Sequence, residues 1–218
     1  MKFLDNKEDD SQWLPISDLM TVLMAIFLII SIIYLNERLS PAQNYIITKE
    51  KIYNELFKTF EEKNWKGYEI DPQDLSIKFV SPDILFDFDK TDIKTEFQDI
   101  LDEFIPSYVE ILRKYDLDIE DIIIEGHTDD DYNKEEYDEV EGYFINMGIS
   151  QERARKVLEY SISNSLLYSD NRNWARNKLA AHGYSWNKPY NDSIKNKNRR
   201  VEFKVKLIAD ETISQTIE

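Results

Sequence analysis

The sequence predicts an α+β protein, in which a single N-terminal transmembrane helix precedes a compact two-layer α/β sandwich. Two patterns support this: one long apolar stretch near the N-terminus, and an alternation of strand-type and helix-type segments after it. The length of 218 residues allows one span and one domain of ordinary size. The predicted segments are a tail (1–12), the span (13–35), a linker or dimerisation helix (36–70), the domain (71–208) and a second tail (209–218).

The apolar stretch begins near Trp13 and ends at Leu35. As a helix it would be roughly 34 Å long, enough to cross a hydrocarbon core of ~30 Å, whereas the uncharged part from Leu19 would reach only about 26 Å. Trp13 and Tyr34 suit the two membrane interfaces, where aromatic residues are enriched. The acidic segment before the stretch is unlike a cleaved signal peptide, so we expect a retained anchor. Lysine and arginine lie on both sides and do not set its orientation.

Asp18 lies inside this stretch. A carboxylate in a membrane span is costly, and such residues usually carry protons or ions. Alternatively, Ser17 or Asp18 is the helix N-cap after Pro15, a position that these residue types favour. Both interpretations stay open on the residues alone, and they are partly compatible.

Several strands and helices are predicted after the span. Pro41 predicts a break near 36–42, and 43–63 has a helical apolar period that fits either a dimer helix or plug, or packing on the domain. Residues 65–72 are a linker or the first edge of the domain. The predicted domain elements are a strand at 75–79, a helix at 93–115 kinked by Pro106, a strand at 118–126, a helix at 150–167 capped by Ser150, a helix at 172–182 stopped by Gly183, and a strand at 200–208. This order predicts a small mixed sheet under helices.

Composition excludes several classes of function. The chain has no cysteine, which excludes disulfide bonds, thiolate metal sites and a cysteine nucleophile. Its net charge of −16 argues against nucleic acid as a direct partner. The basic residues at 195–206 fit solvated charge around a strand. With two histidines, and no phosphate loop or catalytic triad pattern, we expect no enzyme and no catalytic residues.

Three polar motifs are the strongest candidates for a binding site: Glu125-Gly-His-Thr-Asp129, the segment from Asn146 to Ala154, and Asn198-Arg-Arg-Val-Glu202. Asp129 follows a strand, and Arg153 lies early in a helix. Together they suit a zwitterionic ligand, although two such charges often form only a structural ion pair.

These motifs, with Leu85-Phe-Asp-Phe-Asp-Lys90 before them, resemble the OmpA-like peptidoglycan-binding domain over residues 71–208. The resemblance implies that Asp129 and Arg153 bind the diaminopimelate of the stem peptide. Asn146 and Arg200 would shape or support that pocket.

The chain departs from this pattern in an enlarged acidic loop, predicted at 130–145, which would either cover the pocket or favour a different stem peptide. The loop begins like a calcium-binding loop. However, Lys134 stands where glycine is needed and Val140 where glutamate is needed, so no metal site is predicted.

The combination of a span with an aspartate, a helical linker and this domain resembles the MotB class of ion-driven stator subunits, and most of all the MotB-like subunits of Zorya anti-phage defence systems. The resemblance implies an inner-membrane homodimer inside a pentameric ring of a larger MotA- or ZorA-like subunit. The N-terminal tail would be cytoplasmic and the peptidoglycan-binding domain periplasmic. Asp18 would carry protons, with H⁺ expected rather than Na⁺ and no cofactor. A flagellar stator and a passive membrane-to-wall tether remain the alternatives.

Overall fold

The computed structural model describes residues 10–63, 67–87, 89–163, 167–190 and 195–210, with the side chains of 10–15, 36–43, 195 and 196 excepted. The chain divides into two compact units, residues 1–44 and 45–218. The elements are α1 (Asp10–Glu62), β1 (Tyr68–Asp71), β2 (Ser76–Phe79), α2 (Pro82–Leu85), α3 (Thr95–Arg113), β3 (Ile119–His127), α4 (Glu139–Ser163), α5 (Ser169–Lys178), β4 (Leu179–Gly183), a 3-10 turn (Lys195–Asn198) and β5 (Arg200–Leu207).

The first unit contains the apolar part of α1. The segment Ile16–Leu35 is long and apolar enough to cross a membrane, and none of it is buried within the protein. Its 20 residues would measure about 30 Å as a helix, the thickness of a hydrocarbon core. The break predicted near 36–42 is wrong, because α1 continues through Pro41. A proline removes one backbone donor, and the helical residues on both sides outweigh that loss here.

The second unit is built on a five-stranded sheet of order β1-β2-β5-β3-β4. β3 and β4 are parallel, and the other neighbours are antiparallel. This confirms the predicted mixed sheet. Residues 65 and 66 of the predicted segment 65–72 lie outside the described residues, and within the rest β1 is an edge strand of the domain.

One face of the sheet forms the core. Because side chains alternate along a strand, Phe79, Ile124 and Phe203 share this face, with Ile124 directly opposite Phe203. The Phe104 ring of α3 lies 5.0 Å from the Phe203 ring and 5.2 Å from the Phe79 ring. The helix passes through Pro106 without ending. The core is therefore an aromatic layer between α3 and the sheet.

The second half of α1 belongs to this core. Ile52, Leu56 and Phe60, spaced four residues apart, are completely buried, and the Phe60 ring lies 5.7 Å from that of Phe104. This face of the helix therefore packs on the domain. The compact unit begins at Tyr45, upstream of the predicted boundary at Asp71. A role in dimerisation stays a prediction for the exposed face.

The helix predicted at 172–182 is partly wrong, because α5 ends at Lys178 and the next residues form the parallel strand β4. Alanine-rich segments favour helices, but pairing with the buried β3 overrides that local preference here. Gly183 is needed for packing: a Cβ atom there would lie 2.5 Å from the backbone nitrogen of Gln151 in α4.

The start of α4 also differs from the prediction. The helix begins at Glu139, so Ser150 is an interior residue and not an N-cap, and the enlarged loop is shorter than predicted. Asp138 and Glu141 form a capping box: Asp138 Oδ1 accepts the Glu141 N–H at 2.8 Å, and Glu141 Oε2 accepts the Asp138 N–H at 3.1 Å. The acidic residues that suggested a loop are in part the first turn of this helix.

Candidate functional site

The candidate cleft lies where β3 ends. Gly126, the penultimate residue of β3, lets the strand approach α4 closely, since a Cβ atom there would lie 2.1 Å from the Ser150 carbonyl oxygen. After the strand, Thr128 donates its N–H to the Ser185 carbonyl at 3.0 Å, and the Ser185 N–H is accepted by Ser150 Oγ at 3.0 Å. These contacts hold the loop that carries Asp129 against α4.

Arg153 projects from α4 and is only 7 % exposed. Its Nε donates to the Lys90 carbonyl at 2.9 Å and its Nη2 to the Asp87 carbonyl at 3.3 Å, while the guanidinium lies 4.9 Å from the centre of the Phe86 ring. Burial, together with the nearby Arg199, lowers the pKa of Arg153 to about 10. It therefore remains charged at neutral pH, in an orientation set by backbone carbonyls.

Asp129 is half-buried beside Arg199, with 3.3 Å between Asp129 Oδ2 and Arg199 Nε. Burial raises the pKa of Asp129 above its ordinary value, and the charge of Arg199 opposes that shift. The charge of Asp129 also acts on Arg153. Arg153, Arg199 and Arg200 line the cleft, and Asp129 is paired with one of them, Arg199. These charges suit a ligand with an ammonium and a carboxylate group.

Asn146 and Arg200 occupy supporting positions. The buried Asn146 amide donates to the Asp131 carbonyl at 3.0 Å, which ties the acidic loop to α4. The Arg200 Nε donates to Glu202, and its Nη2 donates to the Lys188 carbonyl at 3.0 Å. Arg200 and Arg153 both line the same small cleft, together with Phe86 and His127.

The remaining loop is packed and not open. The Tyr132 ring stacks on Trp186 at 5.9 Å, and the Tyr143 ring meets Trp186 edge-on at 5.4 Å. Asn133 Oδ1 accepts the Glu135 N–H at 3.2 Å, and Asp129 is paired with Arg199.

Sequence reasoning missed two features of the site. Arg199 was placed among solvated charges, yet it pairs with Asp129. Glu125, His127 and Glu202 were treated as parts of motifs, yet they form a buried polar cluster across the sheet. Part of this cluster could have been predicted from the alternation of side chains along the last motif, because Arg200 and Glu202 fall on the face opposite Val201 and Phe203.

Asp18 lies in the first unit, exposed on the apolar segment of α1. The helix begins at Asp10, so the alternative in which Ser17 or Asp18 caps its start is wrong. The side chain of Trp13, the proposed interface marker, lies outside the described residues. The exposed position of Asp18 two residues inside the Ile16 end of the segment is compatible with a membrane carboxylate.

Comparison with known proteins places these features in a family. The OmpA family model matches residues 85–202, which include all four motifs. Zorya protein ZorB from Escherichia coli strain Crooks is 37% identical over 233 aligned positions, which cover 100% of this chain and 97% of that protein. Among solved structures, a putative MotB-like protein from Desulfovibrio vulgaris superposes with a TM-score of 0.52 at 20% identity, covering 75% of this chain and 94% of that one. The chain therefore belongs to the OmpA family and, over its whole length, is a homologue of ZorB.

Proposed function

We propose that the chain is the peptidoglycan-anchored subunit of a proton-driven motor in the bacterial inner membrane, used in anti-phage defence. The observation that carries this proposal is the full-length match to a Zorya protein, since it spans both the apolar helix and the OmpA-like domain. A MotB-like fold supports the comparison with stators. The proposed role is mechanical and not enzymatic.

In this proposal, Asp18 carries the proton. In a medium of low dielectric constant, a carboxylate strongly favours its neutral form, so gain and loss of a proton change which contacts are stable. Two copies of the chain would place two such carboxylates inside a pentameric ring of a larger MotA- or ZorA-like subunit. Proton flow would then turn the ring against the dimer, with H⁺ as the ion and no further cofactor.

The domain supplies the fixed point for that torque. Asp129 would bind the ammonium group and Arg153 the carboxylate of a diaminopimelate residue, while Asn146 and Arg200 hold the walls of the cleft. The cleft must face the cell wall, so the second unit would be periplasmic and residues 1–12 cytoplasmic. The charge set described above supports this assignment.

The test replaces Asp18 by Asn, which keeps its size but removes the titrating group, in cells that carry the complete defence locus. We expect phage plating to return to the level of undefended cells, with membrane content and peptidoglycan sedimentation of the protein unchanged. Asp18→Glu is the matched control and should retain part of the defence, because it keeps a carboxyl group. Full defence by Asp18→Asn would instead support a passive tether. If deleting the gene for this chain abolished swimming and left phage plating unchanged, the result would support a flagellar stator.

A further inference from the structure

A second polar cluster lies on the face of the sheet away from the core. Glu125 and His127 on β3 and Glu202 on β5 are 3 %, 1 % and 5 % exposed. Glu125 is directly opposite Glu202 in the antiparallel register, and His127 is two residues further along the same face. Two buried carboxylates facing each other repel, so the cations around them decide whether this arrangement is stable.

The spacing of this cluster fits a metal ion. His127 Nε2 lies 3.4 Å from Glu125 Oε2 and 3.8 Å from Glu202 Oε1. One ligand atom from each residue lies within 4.8 Å of the others. A tetrahedral zinc ion with ligand distances of about 2.1 Å separates its ligand atoms by about 3.4 Å. Small side-chain shifts would therefore bring all three atoms into coordination.

The state of His127 is the independent observation. Neither ring nitrogen has a hydrogen-bond partner of good geometry among the described residues, although the side chain is almost completely buried. A buried imidazole whose nitrogens make no hydrogen bond of good geometry is costly, and a metal bond would satisfy it.

We propose that Glu125, His127 and Glu202 form a binding site for a divalent transition-metal ion of the zinc type. One imidazole and two carboxylates are a common donor set for such ions, and they supply the two negative charges that balance the ion. These three ligands come from two strands and meet only across the sheet, so the sequence does not show them as a group. This proposal is independent of the motor proposal and goes beyond it.

The cations near these carboxylates must be accommodated: Arg200 and Lys188 contact them, and Lys78 and Lys204 act on them from further away. The Arg200 Nε donates to Glu202 Oε1, and a metal-bound carboxylate commonly accepts such an outer hydrogen bond. Lys188 Nζ lies 3.4 Å and 3.5 Å from the two oxygens of Glu125, and its side chain is 46 % exposed. Lys188 can therefore move into solvent when a metal ion binds, and it acts as a competitor for the site.

The test uses the full chain purified in detergent and freed of metal with a chelator. We expect one equivalent of Co²⁺ per chain to give visible absorption bands of low-symmetry coordination, and Zn²⁺ to displace it. His127→Gln should lower the affinity by at least about a hundredfold, more than the loss of an outer-shell partner does. His182→Gln is the matched control, because His182 is the chain's other histidine and is exposed on β4.

Lys188→Gln keeps the test decisive if His127→Gln fails to fold. Removing this exposed competitor should tighten metal binding by roughly tenfold, because a like charge leaves the vicinity of the ion. Three results would overturn the proposal. The wild-type chain fails to bind one equivalent of Co²⁺ or Zn²⁺ at micromolar concentration, His127→Gln binds the metal as tightly as wild type, or Lys188→Gln binds it more weakly. Sedimentation of the same samples with peptidoglycan measures the proposed wall binding separately, so a failure of metal binding and a failure of wall binding can be told apart.

Discussion

The two halves of α1 have similar helical backbones but very different surroundings. Between Ile16 and Leu35 the helix is apolar on every side and not buried within the protein. Between Tyr45 and Glu62 only one stripe is buried, and Phe60 in that stripe contacts aromatic rings of the domain core. An apolar stripe therefore indicates packing on protein, whereas an all-round apolar surface indicates lipid.

The same contrast separates the two aspartates at the centre of the proposed function. Asp18 is exposed on the all-round apolar segment, where lipid or a partner subunit would surround it. Asp129 is half-buried beside a guanidinium group in a polar cleft. In the proposed function Asp18 carries protons, whereas Asp129 provides a carboxylate that binds the ligand.

The largest expected effect tests the packing half of this contrast. Phe60→Ala should lower the free energy of unfolding of the domain by about 3–5 kcal/mol, because it leaves a cavity among Phe104 and its neighbours. Phe27→Ala is the matched control, since Phe27 is 67 % exposed on the apolar segment. Denaturant unfolding of the full chain in detergent measures both. Equal losses for the two variants would mean that both halves of the helix pack on protein.

The next effect concerns the cleft. Arg153→Ala should weaken binding to purified peptidoglycan by about 2 kcal/mol or more, as expected when one partner of a buried charge interaction is removed. Arg155→Ala should leave binding unchanged, because Arg155 lies on the outer side of α4 with its exposed partners Glu152 and Glu159. Sedimentation with sacculi gives both affinities. A loss in Arg155→Ala as large as that in Arg153→Ala would move the wall-binding surface out of the cleft.

A smaller effect is the pH dependence of wall binding. Because burial raises the pKa of Asp129, this carboxylate should take up a proton at a higher pH than an ordinary aspartate, and affinity should fall as the pH drops through that raised pKa. Protonation of Asp129 does not itself destabilise the fold, because a raised carboxyl pKa stabilises the fold at low pH and that stability disappears as the pH rises. In Asp129→Asn the affinity for peptidoglycan should be low at every pH and should not show this fall. A step of the same size in Asp129→Asn would assign it to another group.

The smallest effect is at the start of α4. Asp138→Ala should lower the free energy of unfolding by about 1 kcal/mol, because it removes one half of the capping box. Glu139→Ala in the same turn is the control, since this exposed residue forms no cap hydrogen bond with the described residues. Urea unfolding measures both variants. Indistinguishable midpoints would show that the helix begins elsewhere.

Much of the fold could be predicted from local patterns, and the failures have physical causes. Alternation identified β2 and β5, and the apolar period identified α3, since their buried faces are regular. The last four residues of the helix predicted at 172–182 are a strand, because pairing with β3 outweighs the helix preference of Ala180 and Ala181. The predicted cap at Ser150 failed because the real cap lies in an acidic segment that resembled a loop.

The candidate site was predictable only as separate motifs. Asp129 and Arg153 were identified through their resemblance to a family, and the structure places their charges close enough to act on each other. The pairing of Asp129 with Arg199 could not be predicted, because it depends on where the turn before β5 meets the loop after β3.

The central claim is that Asp18 carries protons while the domain holds the wall. The most direct measurement is proton flux into liposomes that contain this chain together with its larger membrane subunit, under an imposed membrane potential. We predict a flux with the wild-type chain, none with Asp18→Asn, and an unchanged flux with Asp129→Asn. An equal flux with wild type and Asp18→Asn would contradict the account.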